Sequence, residues 1–325
     1  MDPSAVATAR SRAYALFSRL YREGITTALL PLVRTVPELA ETLPEPFDAE
    51  QAAADYYDLF HLNVFPYASL FLDADGQLGG PASDAAQRLF RQVGYVADTA
   101  RESADHIGHA LGLLAFLTGA EADAWEDNRA DEAARMQHRQ RRFVDTSLLW
   151  WLPALAHAVR RHNHPFYALL GDITLDLVLD HRAVLGPSEE PAAPMLPLPD
   201  PPALLDDAKT GLKDIAAYLT TPAWSGFYLT RADISRLGRA EHLPRGFGAR
   251  VQMLTNLLRA AAAFDRLDPL LMQLQDLVAA WQSYYRKLAE REVPGLDTVT
   301  QAWLERLEGT EKMIGRIRKA SGFGF

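Results

Sequence analysis

Apolar residues recur at helical spacing along most of this chain. In the first segment, residues 4–23, Tyr14, Phe17 and Tyr21 fall on one helical face, and Gly24 follows as a stop signal. Strand-like alternation is nearly absent, so the pattern predicts an all-α protein. The same spacing predicts further helices over 48–61, 83–101, 121–163 with one break near 145–147, 165–185, 204–219, a short helix capped by Thr230 and Asp233, 248–264, 268–292 and 294–320.

One short apolar helix carries a polar pair. Residues 104–117 place Leu111 and Leu114 on one helical face. Asp105 and His106 lie at the beginning of this segment. In the first turn of a helix, a carboxylate interacts favourably with the helix dipole. A hydrophobic core does not require a polar pair at this position, so we interpret the pair as part of a binding site.

A proline-rich segment interrupts the helical pattern. Residues 187–202 contain seven Pro, which excludes a helix or a central strand and indicates an extended linker or a surface strap. We therefore predict an all-helical domain over residues 1–186, a linker over 187–202 and a helical C-terminal extension over 203–325.

Composition narrows the classes of function. The chain has no Cys, which excludes disulfides, thiolate metal sites and cysteine nucleophiles. Its net charge is −9, and residues 1–186 hold 16 Arg, no Lys and 25 acidic residues. Such an acidic surface disfavours nucleic acid and favours cationic partners. The sequence has neither a secretory leader pattern nor an 18-residue apolar span, so we expect a cytoplasmic protein without stable membrane insertion.

Catalytic motifs are missing from the sequence. It contains no nucleotide-binding glycine pattern, no GxSxG and no HExxH. His106 and His109 lie three residues apart beside Asp105 and could ligate a metal, but no fourth ligand is evident. A metal-dependent helical enzyme therefore stays an alternative only. We predict no catalytic residue, no metal and no cofactor.

Aromatic residues gather in two segments, 64–71 and 148–153. Trp150 and Trp151 are adjacent, and neighbouring side chains on a helix point in different directions, so we do not expect both to be fully buried. Trp151 either packs in the core or lines a groove. His157, His162 and His164 are expected at an exposed helix end.

Three blocks of residues resemble the TorD/DmsD/NarJ group of redox-enzyme maturation chaperones. The first is PYASLF at 66–71, similar to P-Y-E-S-[VL]-[YF], and the second is DHIGHAL at 105–111, similar to D-H-[LI]-x-x-E-L. The third is FVDTSLLWWLP at 143–153, similar to F-[LV]-x-x-H-L-x-x-W-x-P, followed by PFYALL at 165–170. The resemblance covers roughly residues 10–186.

The chain departs from these patterns at three polar positions. Ala68 and Ala110 replace the two Glu of the group, and Ser147 replaces its His. Asp105 and His106 are retained. Residues beyond 187 have no counterpart in the shorter members, so the resemblance implies nothing about them.

The resemblance implies a TorD-like helical bundle that acts as a chaperone and not as an enzyme. Such proteins bind the twin-arginine signal peptide of a molybdenum-cofactor enzyme in the cytoplasm and retain the enzyme until the cofactor is inserted. The alternative, closer to the nitrate-reductase branch, is an assembly factor that binds the mature catalytic subunit. The resemblance also allows a homodimer.

A twin-arginine peptide presents two Arg and then an apolar helix, which predicts carboxylates and a groove as its binding site. Asp105 is the preferred anchor for the Arg pair. The predicted peptide-binding residues are Asp105, His106, His109, Pro66, Tyr67, Trp151, Phe166 and Tyr167.

Overall fold

The computed structural model describes residues 2–187, 194–207, 209–244 and 246–321. Helices account for nearly all regular structure in these ranges, which confirms the predicted all-α class. Only one isolated backbone bridge, between Tyr67 and His106, is present in this part of the chain. None of the described helices combines the length and the apolar character needed to cross a bilayer.

The chain divides into two compact units. The first comprises the described residues within 1–73, 77–197 and 293–295, and the second those within 74–76, 198–292 and 296–325. Residues 188–193 of the proline-rich segment lie outside the described residues. The predicted boundaries at residues 186 and 203 stay a prediction.

The described residues of the first unit form ten α-helices. They are α1 Pro3–Glu23, α2 Leu30–Val33, α3 Pro37–Ala40, α4 Ala49–Tyr57, α5 Ser69–Leu72, α6 Gly80–Val93, α7 Ile107–Glu126, α8 Ala130–Thr146, α9 Leu152–His162 and α10 Pro165–Val184. A π-helical turn, Asp58–Asn63, follows α4, and a 3-10 turn, Leu148–Trp150, precedes α9.

Caps predicted from the sequence set several of these helix ends. Asp48 accepts hydrogen bonds from the backbone N–H groups of Glu50 and Gln51 and so opens α4, as predicted. Gly24 ends α1 at a φ of 68°, as predicted from its position. Gly94, at a φ of 75°, ends α6 at Val93, so the prediction that this helix continues to residue 101 was wrong.

Small residues allow α1 and α7 to pack closely. Ser18 Oγ donates to the carbonyl of Gly108 at 2.6 Å, and Ser11 Oγ donates to the carbonyl of Ala115 at 2.8 Å. A Cβ atom built on Gly108 would lie 2.3 Å from Cγ of Arg22. The contact therefore favours glycine, and it fixes the beginning of α7 against α1.

The segment after residue 104 differs from its prediction in two ways. Its helix is not short, because α7 runs from Ile107 to Glu126. The predicted helical stretch 121–163 contains the expected break at Thr146, but a second break separates α7 from α8, where Asn128 adopts a φ of 58°.

Buried polar groups connect the helices of the first unit. The Asp145 carboxylate, at the end of α8, forms an ion pair with the Arg182 guanidinium of α10, and both residues are buried. Nearby, His181 contacts the Tyr14 hydroxyl through Nδ1 at 2.9 Å and Gln140 Oε1 through Nε2 at 3.0 Å. These contacts satisfy side chains that would be costly to bury alone.

The second unit is also helical. It contains α11 Leu212–Thr220, α12 Pro222–Ser225, α13 Arg231–Ala240, α14 Arg250–Ala263, α15 Leu267–Ala289 and α16 Leu296–Ser321. Thr230 and Asp233 form the predicted capping box of α13. In its core, the rings of Tyr285 and Trp303 stack with centroids 6.1 Å apart.

Candidate functional site

Backbone hydrogen bonds join the first two sequence blocks. The N–H of Ile107 donates to the carbonyl of Pro66 at 2.9 Å, and the N–H of Ala68 donates to the carbonyl of Asp105 at 3.0 Å. Pro66 is buried in this contact. The segment before α5 and the segment before α7 therefore run side by side, which places Tyr67 next to His106.

Asp105 lies inside this junction. It precedes α7, so the prediction that it occupies the first turn of a helix was wrong. Its side chain is also not exposed, because the residue is only 4% accessible. Oδ2 accepts a hydrogen bond from the N–H of Ser69 at 2.9 Å, whereas Oδ1 is buried and has no hydrogen-bond partner among the residues that the structure describes.

His106 and His109 are both buried, and His106 has a structural role. His106 is the N-cap of α7, and its Nδ1 accepts a hydrogen bond from the N–H of Gly108 at 3.0 Å. Its ring packs edge-on against Tyr67, with centroids 4.8 Å apart. Burial is the main cause that lowers the pKa of His106 well below its usual value, and it also lowers the pKa of His109. Both rings therefore favour the neutral state.

Metal binding gains no support in the described part of the chain. No group of three or more His, Asp or Glu side chains suitable for holding a metal ion is found there. Asp105 is engaged with Ser69, and Nδ1 of His106 is used in capping α7.

A small apolar cavity lies against Asp105, and we call it the Asp105 cavity. It has about 30 Å³ of remaining space, enough for about one water molecule. Its walls come from all three sequence blocks. They comprise Ala68, Leu72, Ala82, Ala86, Phe90, Ala104, Asp105, Ala110, Phe143, Thr146, Ser147, Trp151, Met195 and Leu196.

The three positions that depart from the resembled patterns all line this cavity. Ala68, Ala110 and Ser147 are small residues where the patterns carry Glu, Glu and His. Short side chains at these positions leave a largely apolar space beside the Asp105 carboxylate. Spacing alone indicated no cavity, because the three positions are far apart in the chain.

Trp151 lines the same cavity, but the aromatic prediction was partly wrong. Trp150 and Trp151 are both buried, with exposures of 7% and 2%. They lie between α8 and α9, where Trp150 ends the 3-10 turn and Trp151 is the N-cap of α9, so they do not follow each other on one helix. The indole N–H of Trp150 donates to the carbonyl of Asp145 at 3.0 Å, which satisfies its polar atom.

The proline-rich segment forms one side of the cavity. Met195 and Leu196 are half-buried and belong to the first unit. The N–H of Met195 donates to the carbonyl of Thr146 at 2.7 Å. Thr146 is the last residue of α8, and carbonyls at a helix C-terminus lack intrahelical partners, so Met195 satisfies one of them.

Two predicted site residues lie elsewhere, in a second cavity that we call the Tyr167 cavity. Phe166 and Tyr167 are each 1% exposed and form part of its wall. The space measures about 340 Å³. The lining comprises Ile25, Thr42, Leu43, Pro44, Phe47, Asp48, Gln51, Ala52, Asp55, His164, Pro165, Phe166 and Tyr167.

One of the three histidines near the end of α9 and the beginning of α10, His164, lines this second cavity. His164 Nε2 lies 3.1 Å from Asp55 Oδ2, and His162 Nε2 lies 3.1 Å from Asp58 Oδ2. Burial lowers the pKa of His157 to about 3. All three histidines are half-buried, so the prediction of an exposed helix end was wrong.

An acidic pair near Tyr67 was not singled out from the sequence. Glu102 Oε2 lies 3.5 Å from Nε of Arg22, and Asp98 Oδ2 lies 4.0 Å from Nη2 of the same side chain. Burial, followed by the charge of Glu102, raises the pKa of Tyr67 to about 12. The only signal for this pair was its position immediately before the second block.

Comparison with known families identifies the region that builds the Asp105 cavity. Residues 27–157 match the family described as nitrate reductase delta subunit, within the TorD/DmsD/NarJ clan of chaperones. This region is therefore similar to that family. The match confirms the resemblance predicted from the sequence blocks. No curated protein matches the chain.

The NarJ-like region, residues 27–157, contains the first two blocks and residues 143–153 of the third. It therefore supplies most of the wall of the Asp105 cavity. Met195 and Leu196 lie outside it. Members of this family are chaperones of molybdoenzyme maturation.

Proposed function

We propose that this protein is a cytoplasmic chaperone that binds an apolar segment of a molybdoenzyme precursor in the Asp105 cavity. The observation that carries the proposal is the position of the cavity at the junction of the three family blocks. Its wall is largely apolar and includes Asp105, whose Oδ1 is buried without a hydrogen-bond partner among the described residues. Such a surface suits an apolar side chain that is accompanied by a hydrogen-bond donor.

The twin-arginine signal peptide is the client segment that we propose first. Its apolar part matches the wall of the cavity, whereas its Arg pair requires carboxylates that solvent can reach. Asp105 does not meet that requirement, because it is buried and bound to the N–H of Ser69. We therefore move the proposed Arg contact to Asp98 and Glu102.

Arg22 supports this assignment, because its guanidinium already pairs with both carboxylates. The side chain of Asp98 is 70% exposed, so an Arg of a bound peptide can reach it without unfolding the site. Tyr67 lies within the electrostatic influence of Glu102 and offers an aromatic ring beside the proposed contact.

The second candidate is an assembly factor that binds the mature catalytic subunit. The description of the matched family, nitrate reductase delta subunit, favours it. The two candidates share the Asp105 cavity but differ in the need for an Arg pair. A peptide series separates them.

Isothermal titration with three synthetic peptides tests the proposal. The first carries Arg-Arg and an apolar segment, the second has Lys-Lys in place of the Arg pair, and the third has Ser in place of each apolar Leu. Lost burial of apolar surface weakens the third peptide by at least about tenfold. Lys cannot form the bidentate contacts of Arg, so the second peptide binds several-fold more weakly.

Equal binding of the Arg-Arg and Lys-Lys peptides would favour the assembly-factor candidate. Equal binding of the apolar and Ser peptides, or binding of none of the three, would contradict the role of the cavity.

A further inference from the structure

Residues 194–197, which we call the strap, make a contact that the chaperone role does not require. They come from the proline-rich segment beyond the NarJ-like region, yet Met195 and Leu196 line the Asp105 cavity. One backbone hydrogen bond, from Met195 N–H to Thr146 carbonyl at 2.7 Å, holds the strap at the end of α8. The cavity consequently retains little free space.

The strap resembles a bound peptide in its mode of contact. It is not helical at Met195 and Leu196, it uses a backbone N–H to pair with an orphan helix carbonyl, and it places apolar side chains against the cavity wall. An extended client segment would use the same carbonyl and the same wall. The strap and such a segment therefore cannot occupy the cavity together.

The strap is also an incomplete occupant. Met and Leu side chains carry no hydrogen-bond donor, and within the described part of the chain Oδ1 of Asp105 is left buried without a partner. A buried acceptor without a donor is energetically unfavourable. A ligand that supplies a donor to Oδ1 satisfies this atom and gains an interaction that the strap lacks.

We propose that the strap is a built-in competitor, which covers the Asp105 cavity until a client peptide displaces it. This inference rests on the proposed function, because the cavity is taken as the client site. The ligand that displaces the strap is a peptide segment with an apolar side chain and a nearby donor, such as a Ser or Thr hydroxyl or a backbone N–H. Apparent client affinity is then reduced by the fraction of molecules in which the strap is seated.

The test compares full-length variants by titration with the Arg-Arg peptide. The double variant M195A/L196A removes the strap side chains that line the cavity, and its peptide affinity is expected to rise about tenfold. L198A is the matched control, because Leu198 belongs to the same proline-rich segment but does not line the cavity. Its affinity is expected to equal that of the wild type. Should the double variant fail to fold, M195A alone serves, with a smaller expected gain.

Methyl NMR of the ¹³C-methionine-labelled full chain gives a readout that does not depend on the client. The Met195 methyl signal, assigned by its loss in M195A, is expected to be shifted by the ring of Trp151 in the free protein. Addition of the peptide is expected to move this signal towards the value of an exposed methionine. A Met195 signal already at that value in the free protein would overturn the seated strap.

The outcomes separate this inference from the proposed function. Tighter binding by M195A/L196A than by both wild type and L198A supports the strap as a competitor. Equal or weaker binding by the double variant overturns the competitor and leaves the proposed function standing. Absence of binding by every variant overturns the proposed function, and a competitor role is overturned with it.

Discussion

Two cavities in the same unit differ in the space that they leave free and in the segments that form their walls. The Asp105 cavity is small, nearly filled and closed on one side by Met195 and Leu196. The Tyr167 cavity is about ten times larger by volume and is bordered by the His164–Asp55 contact. Size alone would select the second cavity as the binding site.

The position of the sequence blocks and the segment that covers the cavity favour the first. Residues 27–157 supply most of the wall of both cavities, but the first two blocks and residues 143–153 meet at the Asp105 cavity. Both cavities have in their walls a residue with a buried polar atom that lacks a hydrogen-bond partner among the described residues, Oδ1 of Asp105 in one and the hydroxyl of Tyr167 in the other. The comparison teaches that a small cavity covered by an extended segment is a stronger candidate for peptide binding than a larger one, because a peptide-like occupant is already present.

The largest expected difference is between two charged contacts, one in the helices of the first unit next to Thr146 and one in the wall of the Tyr167 cavity. Asp145→Ala removes the partner of the buried Arg182 and is expected to lower the free energy of unfolding by about 3–5 kcal/mol. Asp55→Ala removes a partly exposed contact with His164 and is expected to cost less than about 1 kcal/mol. Urea denaturation followed by circular dichroism measures the free energy of unfolding of both variants. Equal losses would contradict the expected difference between the two contacts.

A second difference follows from the free space. Ala110→Leu adds volume to a cavity with room for about one water and is expected to destabilise the fold by about 1–3 kcal/mol. Ala52→Leu adds the same volume to the Tyr167 cavity, where the change is expected to stay within about 1 kcal/mol. Thermal unfolding of the two variants is the measurement. A loss of stability in Ala52→Leu as large as that in Ala110→Leu would contradict the difference in free space between the two cavities.

The buried polar contacts of the first unit are expected to make its stability depend on pH. Burial lowers the pKa of His181 to about 3, whereas an unfolded chain protonates this side chain near pH 6.5. The unfolded state therefore binds more protons between these values, and stability falls as pH decreases through that window. From pH 6.5 to 5, His181 alone accounts for a loss of about 2 kcal/mol.

His181→Gln is expected to flatten this dependence. Because the substitution also disturbs the contacts with Tyr14 and Gln140, the readout is the slope of unfolding free energy against pH and not its absolute value. An unchanged slope would mean that other groups cause the acid sensitivity.

The smallest expected change isolates the Asp105 carboxylate. Asp105→Asn retains an oxygen for the N–H of Ser69 but replaces the buried Oδ1 with an amide N–H₂ group. We expect the affinity for the Arg-Arg peptide to fall about tenfold, with a stability change below about 1 kcal/mol. Asp55→Asn at the other cavity is the matched control and is expected to leave the affinity unchanged. A large loss of thermal stability in Asp105→Asn would mark the carboxylate as structural.

Local signals predicted much of the fold. Three helix-end signals depend only on neighbouring residues, and the structure confirms each of them. They are Gly24 at the end of α1, the Asp48 cap of α4 and the capping box of Thr230 with Asp233. The predicted end of α6 was wrong because apolar periodicity continued past Gly94, where the backbone turns into a left-handed conformation. The end of a helix is decided by such single residues more than by periodicity.

The candidate site was harder to predict because the residues that contact each other there are far apart in the sequence. Asp105 was predicted to anchor the Arg pair, but it is buried and accepts a hydrogen bond from the N–H of Ser69, 36 positions away. The contact between Met195 and Thr146 lies within a segment whose composition indicated only a linker or strap. The proline content of such a segment limits its conformation, but it does not predict which residues the segment contacts.

Photo-crosslinking tests the central claim most directly. The Arg-Arg peptide is synthesised with benzoylphenylalanine in its apolar segment, irradiated with the full-length protein, and the crosslinked residues are mapped by mass spectrometry. We predict crosslinks to the wall of the Asp105 cavity, in residues 68–72, 82–90, 143–151 or the strap. Crosslinks confined to the Tyr167 cavity, in residues 42–55 or 164–167, would contradict the assignment of the client site.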